Sequence, residues 1–141
     1  MSNTLQYVAD RIALADVILQ YAKGVDERDF DLYRGVLADD VEVVGFGPNT
    51  FFGADAWSNF CKQELRQYAA SQHMLGPQLA TIDGDTAHCR TDVQALHYLK
   101  SEASTTLMLW ATYVADMQRI DGRWKIKRLE LISRGVRVQS G

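Results

Sequence analysis

Apolar residues recur every three or four positions along the first part of the chain, which is the spacing of a helix face. The pattern predicts a first helix from Asn3 to about Lys23, with a core-facing stripe that ends at Asp26. The members of that stripe are Leu5, Val8, Ile12, Ala15, Leu19 and Ala22. A second apolar stripe lies beside it and consists of Leu14, Ile18, Tyr21 and Val25. The helix should therefore be covered over a wide arc in its second half.

Asp26 is the most informative residue of this half of the chain. A carboxylate at the end of a core-facing stripe is costly unless it is paired, hydrogen-bonded or protonated. If the helix runs on through Asp26, its side chain should have a partner from elsewhere in the chain. The alternative is that Gly24 breaks the helix and turns Asp26 towards water. The neighbouring residues Glu27, Arg28 and Asp31 are interpreted as a solvated turn and helix start.

Two more helices are predicted after this turn. Asp29 fits the N-cap position of a short second helix. Its expected inner face is formed by Phe30, Tyr33 and Leu37. Residues 41–46 and 51–52 have the pattern of strands, and Gly53 precedes a third, amphipathic helix.

From Gln72 onward the period changes to the two-residue alternation of strands. The dipeptides Asp83-Gly84 and Asp121-Gly122 predict two hairpin turns, because such turns favour residues that accept positive φ. The strand over 105–120 is apolar on both faces at its start, which indicates cover on both sides, one of them a second subunit. In the last strand the apolar phase slips near Lys127-Arg128, which indicates a bulge.

The order of elements predicts one α+β domain over residues 1–141, in which a curved antiparallel sheet wraps around the helices. The composition is that of an ordinary globular protein, with 47% hydrophobic and 23% charged residues and a net charge of -3. The chain has no basic patch, no apolar run of about 20 residues and no signal peptide, so we expect neither a nucleic-acid nor a membrane partner. Cys61 and Cys89 have no disulfide or metal spacing, and we expect them in the core of a cytoplasmic protein.

The three histidines differ in their predicted directions. His97 should point inward, and His88, on the opposite strand face, should point to solvent; alternation does not decide the direction of His73. We hypothesise that Asp26, His73 and His97 converge in an apolar pocket, where a carboxylate-bound imidazole is a competent general base near neutral pH. The alternatives are a polar pair that ties the first helix to the sheet, and a metal site of two histidines and one carboxylate.

Four other residues are candidates for contact with a substrate. Tyr21 and Tyr113 are candidate donors to a substrate oxygen. The alternative for both is a half-buried core tyrosine, which is the favoured interpretation of Tyr21. Arg128 lies at the predicted bulge, where a side chain can be redirected into a cavity. Trp110 is the fourth substrate-binding candidate, although the simpler interpretation is a core or interface residue.

Three segments of the chain carry a resemblance to a known family: residues 25–31 (Val-Asp-Glu-Arg-Asp-Phe-Asp), 71–76 (Ser-Gln-His-Met-Leu-Gly) and 119–126 (Arg-Ile-Asp-Gly-Arg-Trp-Lys-Ile). With these segments the chain resembles the SnoaL-like branch of the nuclear transport factor 2-like superfamily. The resemblance implies a cone-shaped α+β barrel with a deep apolar pocket, in a homodimer or higher homo-oligomer formed through the sheet.

The resemblance extends to polar positions of two enzyme classes in that branch. Scytalone dehydratases have functional residues at positions that match Asp26, His73 and His97, and hexachlorocyclohexane dehydrochlorinases use an Asp-His pair that matches the first two. The dehydratase positions that differ in this chain are Val25, Ala111 and Tyr113. The resemblance therefore implies a lyase or isomerase without cofactor or metal, acting on a small hydrophobic, cyclic molecule other than scytalone. His97 and Tyr113 would assist at the oxyanion or the leaving group, and the alternative is a non-catalytic protein that binds a small molecule.

Overall fold

The structure, a computed structural model, describes residues 2–102 and 104–141. Its elements in chain order are α1 (Ser2–Asp26), α2 (Phe30–Gly35), β1 (Leu37–Val44), β2 (Phe51–Phe52), α3 (Ala54–Glu64), β3 (Tyr68–Leu75), β4 (Leu79–Asp83), β5 (Thr86–Leu99), β6 (Thr106–Ile120) and β7 (Arg123–Gln139). A single turn of 3-10 helix, Leu65–Gln67, joins α3 to β3. None of the helices in these two ranges is both long and apolar enough to cross a membrane.

The seven strands form one curved sheet that does not close into a complete barrel. The strand order is β2-β1-β7-β6-β5-β3, and β4 pairs with the first part of β5. All the pairs are antiparallel except β1 with β7, which is parallel. The N-terminal helices pack against one face of the sheet, so the predicted mixed α+β architecture is confirmed.

Helix α1 turns its second apolar stripe to the core, and the prediction that the first stripe faces the core is wrong. Leu14, Ile18, Tyr21 and Val25 are buried. The first stripe is largely in water: four of its members are between 48% and 74% exposed. These four are Leu5, Val8, Ile12 and Leu19.

A polar cluster around Asp10 sets the rotation of α1 against the sheet. The two carboxylate oxygens of Asp10 accept hydrogen bonds from Nη1 and Nη2 of Arg119, at 3.0 and 3.1 Å. Nε1 of Trp124 donates to the same carboxylate at 3.2 Å, and the Arg119 guanidinium lies 4.4 Å from the Trp124 ring centre. Asp10 shares a helix face with Leu14 and Tyr21. This anchor therefore directs the second stripe, and not the first, towards the core.

Two strands begin earlier than the sequence predicts. Strand β1 starts at Leu37, a residue predicted to lie on the inner face of the second helix, and its register against β7 shifts before Glu42. Strand β3 starts at Tyr68, four residues before Gln72. In both places pairing with a neighbouring strand decides the conformation, because strand preference depends more on packing than on local sequence.

The predicted hairpins and the bulge are present, with one shift in position. Asp121 and Gly122 both have positive φ, 51° and 79°, as the two-residue turn requires. The first hairpin turns one residue later than predicted, at Gly84-Asp85, between the paired residues Asp83 and Thr86. The register of β6 against β7 slips between Ile126 and Arg128, which confirms the predicted bulge.

Candidate active site

The C-terminus of α1 directs a carboxylate at the sheet. The helix continues through Gly24 and ends at Asp26, and Arg28 then adopts a φ of 57°. The backbone N–H groups of Arg28 and Asp29 donate to the carbonyls of Val25 and Gly24, at 3.1 and 2.8 Å. This is the hydrogen-bond pattern of a Schellman motif, which ends a helix with a left-handed residue. Of the two predicted alternatives, the uninterrupted helix with a paired Asp26 is therefore the one observed.

Asp26 is paired with His73 of β3. Oδ1 of Asp26 lies 2.7 Å from Nδ1 of His73, and Oδ2 accepts the backbone N–H of His73 at 2.8 Å. The hydroxyl of Ser71 donates to Oδ1 at 3.0 Å. The His73 side chain is only 8% exposed and that of Asp26 19%. Alternation along β3 places Ser71 and His73 on the same face, so one carboxylate can contact both.

These contacts keep Asp26 ionised. Burial alone would raise the pKa of Asp26, and a carboxylate in the last turn of a helix also meets the negative end of the helix dipole. The hydrogen bonds from His73 and Ser71, with the charge of the imidazole, outweigh burial and lower the pKa of Asp26 below its ordinary value of 3.8. The ionised carboxylate accepts a hydrogen bond from Nδ1 of His73, and in the neutral form of the imidazole the lone pair then lies on Nε2.

Arg28 supports this pair, and its interpretation as part of a solvated turn is wrong. Its Nη1 donates to the hydroxyl oxygen of Ser71 at 3.0 Å, which orients the Ser71 proton towards Asp26. Its Nη2 is buried without a hydrogen-bond partner among the described residues. No spacing in the sequence indicates this contact, because Arg28 reaches Ser71 through the left-handed turn that follows α1 and the packing of α1 on β3.

His73 lines an open cavity of about 340 Å³ that is bordered by the helices and the concave face of the sheet. The volume is at the lower end of the range for ligand pockets, so a ligand that fits inside is small. Its walls are mainly apolar and include Phe46, Trp57, Phe60, Leu107 and Leu109. Polar groups reach the cavity at a few points only, which is the usual construction of a small-molecule site.

His97 faces the same cavity, as its strand face predicts. Its ring centre lies 5.8 Å from that of His73, with the rings nearly perpendicular, and 4.7 Å from that of Tyr68. Burial, and then the charge of His73, lower the pKa of His97 below its ordinary value of 6.5, so the ring is neutral at neutral pH. In the part of the chain that the structure describes, no three His, Cys, Asp or Glu side chains are arranged to hold a metal ion.

The two candidate tyrosines both line the cavity and are both buried. The edge of one ring meets the face of the other, and the ring centres of Tyr21 and Tyr113 are 5.7 Å apart. Burial raises the pKa of each phenol well above its ordinary value of 10.0, so both remain protonated at neutral pH. Both are therefore available as hydrogen-bond donors.

The structure does not bring Trp110 or Arg128 to this cavity. Alternation along β6 and β7 places both side chains on the opposite face of the sheet. Arg128 is engaged there by Glu42, at 3.0 Å from its Nε, and by Glu130, at 3.5 Å from its Nη1. Trp110 lies beneath the guanidinium of Arg137, 5.9 Å from its ring centre. The predicted substrate contacts of these two residues are therefore wrong for this cavity.

Comparison with known proteins identifies the family. The model of the SnoaL-like domain matches residues 6–130, and the chain belongs to this family. The uncharacterized protein Rv2910c of Mycobacterium tuberculosis is 26% identical over 125 residues, which cover 86% of this chain and 83% of that protein.

Solved structures show the same fold. A hexachlorocyclohexane dehydrochlorinase (LinA, type 2) superimposes with a TM-score of 0.89 at 23% identity, over 98% of this chain and 94% of that one. A candidate scytalone dehydratase of Novosphingobium aromaticivorans does so with a TM-score of 0.87 at 20% identity, over 100% and 95% of the two chains. The nuclear transport factor 2-like fold that the resemblance implied is therefore confirmed.

Proposed function

We propose that this protein is a lyase or isomerase that works without a cofactor and removes a proton from carbon in a small hydrophobic, cyclic substrate. The observation that carries the proposal is the position of His73. Its Nδ1 is held 2.7 Å from a partly buried carboxylate while its ring forms part of the wall of an apolar cavity. A neutral imidazole fixed in this tautomer has its lone pair on Nε2 and can act as a general base.

The proposed reaction begins when Nε2 of His73 takes a proton from a carbon of the bound substrate. The imidazolium that forms is stabilised by Asp26, because that carboxylate stays ionised at neutral pH. The reaction then ends in one of two ways: a neighbouring leaving group departs, or the proton returns at another carbon. His97 and Tyr113 are proposed to assist the leaving group, since both face the cavity.

The dehydrochlorinase and dehydratase names of the structural neighbours favour this reaction class. A dehydrochlorinase removes HCl and a dehydratase removes water, and each of these eliminations takes a hydrogen from carbon. The cavity of this chain is compatible with such substrates in size and polarity. Fold likeness alone does not transfer an activity, so the proposal rests on the residues of the site.

The test is solvent-deuterium incorporation. The protein is incubated in deuterated buffer with a panel of cyclic ketones and hydroxy-ketones, and exchange and product are followed by mass spectrometry and proton NMR. We expect exchange at the carbon next to the carbonyl, unchanged in a His88→Ala control, whose exposed histidine lies outside the cavity. Ligand binding without exchange or product would contradict the proposal and favour a non-catalytic binding protein of the same fold.

We also propose that the chain forms a homo-oligomer through the outer face of the sheet. Around Trp110 this face exposes apolar side chains, with Met74 and Tyr98 64% and 41% exposed. We expect Trp110→Lys to weaken self-association at least tenfold in sedimentation velocity. The matched control is Ile12→Lys in the exposed stripe of α1, which should not change it. The reverse result would place the interface on α1.

A further inference from the structure

The hydroxyl of Tyr21 receives hydrogen bonds from two other buried side chains. The hydroxyl of Tyr33, from α2, donates to it at 2.5 Å, and the indole N–H of Trp57, from α3, donates at 3.2 Å. All three residues are at most 2% exposed. The ring centres of Tyr21 and Tyr33 are only 4.4 Å apart, so the two hydroxyls are held together by packing as well as by hydrogen bonding.

A fourth group extends this network. Sγ of Cys61 lies 3.2 Å from the hydroxyl of Tyr33. Burial raises the pKa of the Cys61 thiol to about 12, so the thiol keeps its proton at neutral pH and can donate it. Cys61 and Trp57 are one turn apart on α3, which brings both to the same pair of tyrosines. Because the single hydroxyl proton of Tyr33 is donated to Tyr21, the thiol of Cys61 is the donor in its contact with Tyr33.

The direction of donation determines where the proton of Tyr21 can go. A phenol hydroxyl can accept two hydrogen bonds and donate one. Both acceptor positions of Tyr21 are occupied, and no acceptor for its own proton is present among residues 2–102 and 104–141. Tyr21 also lines the cavity that contains the ring of His73. Its proton is therefore available to a molecule bound there.

Tyr113 differs from Tyr21 although it lines the same cavity. Its ring packs edge to face against Tyr21, but within the described chain its hydroxyl receives no hydrogen bond. A donor that itself accepts hydrogen bonds is a stronger donor, because a chain of hydrogen bonds polarises each member. The Tyr21 hydroxyl is also held in place by Tyr33 and Trp57, and preorganised donors stabilise developing charge most effectively.

We propose that Tyr21 donates a hydrogen bond to an oxygen of the substrate, and that the substrate is a carbonyl compound whose oxygen becomes negatively charged during the reaction. This inference rests on the proposed function of His73. When the C–H bond next to the carbonyl breaks, the proton goes to Nε2 of His73 and the electron pair forms the C=C bond of an enolate. The carbonyl π electrons then move to the oxygen, which accepts the hydrogen bond of Tyr21. A halogenated hydrocarbon has no oxygen for this contact, so among the candidate substrates the network favours ketones.

The test uses 4-nitrophenol, whose ionised form carries an oxyanion on an apolar ring and whose colour reports its ionisation. We expect the protein to bind the phenolate in preference to the phenol, which lowers the apparent pKa of the bound probe. Tyr21→Phe should weaken phenolate binding by about tenfold to a hundredfold. Tyr33→Phe, which removes one donor to Tyr21, should have a smaller effect in the same direction. The matched control is Tyr7→Phe, an exposed tyrosine of α1 outside the cavity, and it should retain the shift. Tyr113→Phe leaves the donors to Tyr21 in place and should lose less of the shift than Tyr21→Phe.

The inference is overturned if the wild-type protein shows no preference for the phenolate, or if Tyr113→Phe loses the shift while Tyr21→Phe keeps it. Thermal unfolding of each variant checks that the phenylalanine side chains leave the fold intact. If Tyr21→Phe unfolds, 3-fluorotyrosine in place of tyrosine provides the second measurement: a more acidic hydroxyl at Tyr21 should tighten phenolate binding, and no change would overturn the inference. Because 4-nitrophenol has no acidic C–H next to a carbonyl, a failure here is distinct from a failure of the His73 base, which deuterium incorporation measures.

Discussion

Replacement of His73 with alanine is expected to reduce solvent-deuterium incorporation about a thousandfold. The substitution removes the cavity imidazole whose other ring nitrogen is held by a carboxylate. His97 does not replace it, because burial lowers its pKa and weakens it as a base. Exchange is measured by mass spectrometry under conditions in which the wild-type protein gives a clear rate.

Asp26→Asn is expected to produce a loss of similar size with little change in shape. The amide can still accept a hydrogen bond, but it no longer stabilises the imidazolium and does not select the tautomer with the proton on Nδ1. Because the two residues act as one unit, the double variant of Asp26 and His73 should be no slower than the slower single variant. Equal exchange rates in the wild-type protein and either single variant would contradict the assignment. A double variant slowed by the product of the two single effects would mean that the residues act independently.

Arg119→Ala is expected to lower the free energy of unfolding by about 3 kcal/mol at neutral pH. The substitution leaves Asp10, which is only 5% exposed, without its bidentate partner. The hydrogen bonds from Trp124 and Gln6 remain, but they do not supply a positive charge. Urea unfolding measures the effect, and Arg123→Ala, an exposed arginine of the same hairpin, is the control and should stay within about 0.5 kcal/mol of the parent.

The cost of Arg119→Ala should depend on pH in a defined direction. In the parent protein the hydrogen bonds of Arg119 are the largest cause that lowers the pKa of Asp10 below its ordinary value of 3.8. The stabilisation from Asp10 is therefore present above that value and is lost as the pH falls through the lowered pKa. In the variant the carboxyl can protonate more easily, so the difference between variant and parent should shrink at about pH 4 and below. A difference that stays constant with pH would contradict a role for the charge of Asp10.

The choice between the two stripes of α1 shows the limit of pattern analysis. Both stripes have helical spacing, so the spacing alone does not show which of them faces the core. The contacts of Asp10 with Arg119 and Trp124 decide the rotation, and these residues are more than a hundred positions apart in the chain. Asp26 has hydrogen-bond partners on β3 even though most of the apolar stripe above it lies in water. The reason is that the side chain meets β3 at the edge of the helix and not in the centre of the core.

The sequence by itself determined the order of helices and strands, the second hairpin, the approximate place of the first, the bulge and the inward direction of His97. These follow from local periodicity and turn chemistry, which are properties of neighbouring residues. Only the tertiary structure decided that His73 faces Asp26 and that Arg128 and Trp110 lie outside the cavity. It also decided that Tyr21 is the candidate tyrosine whose hydroxyl accepts hydrogen bonds from other side chains. Each of these depends on which residues of distant segments come together. That information is carried by the packing of the helices on the sheet and not by the spacing of residues along one element.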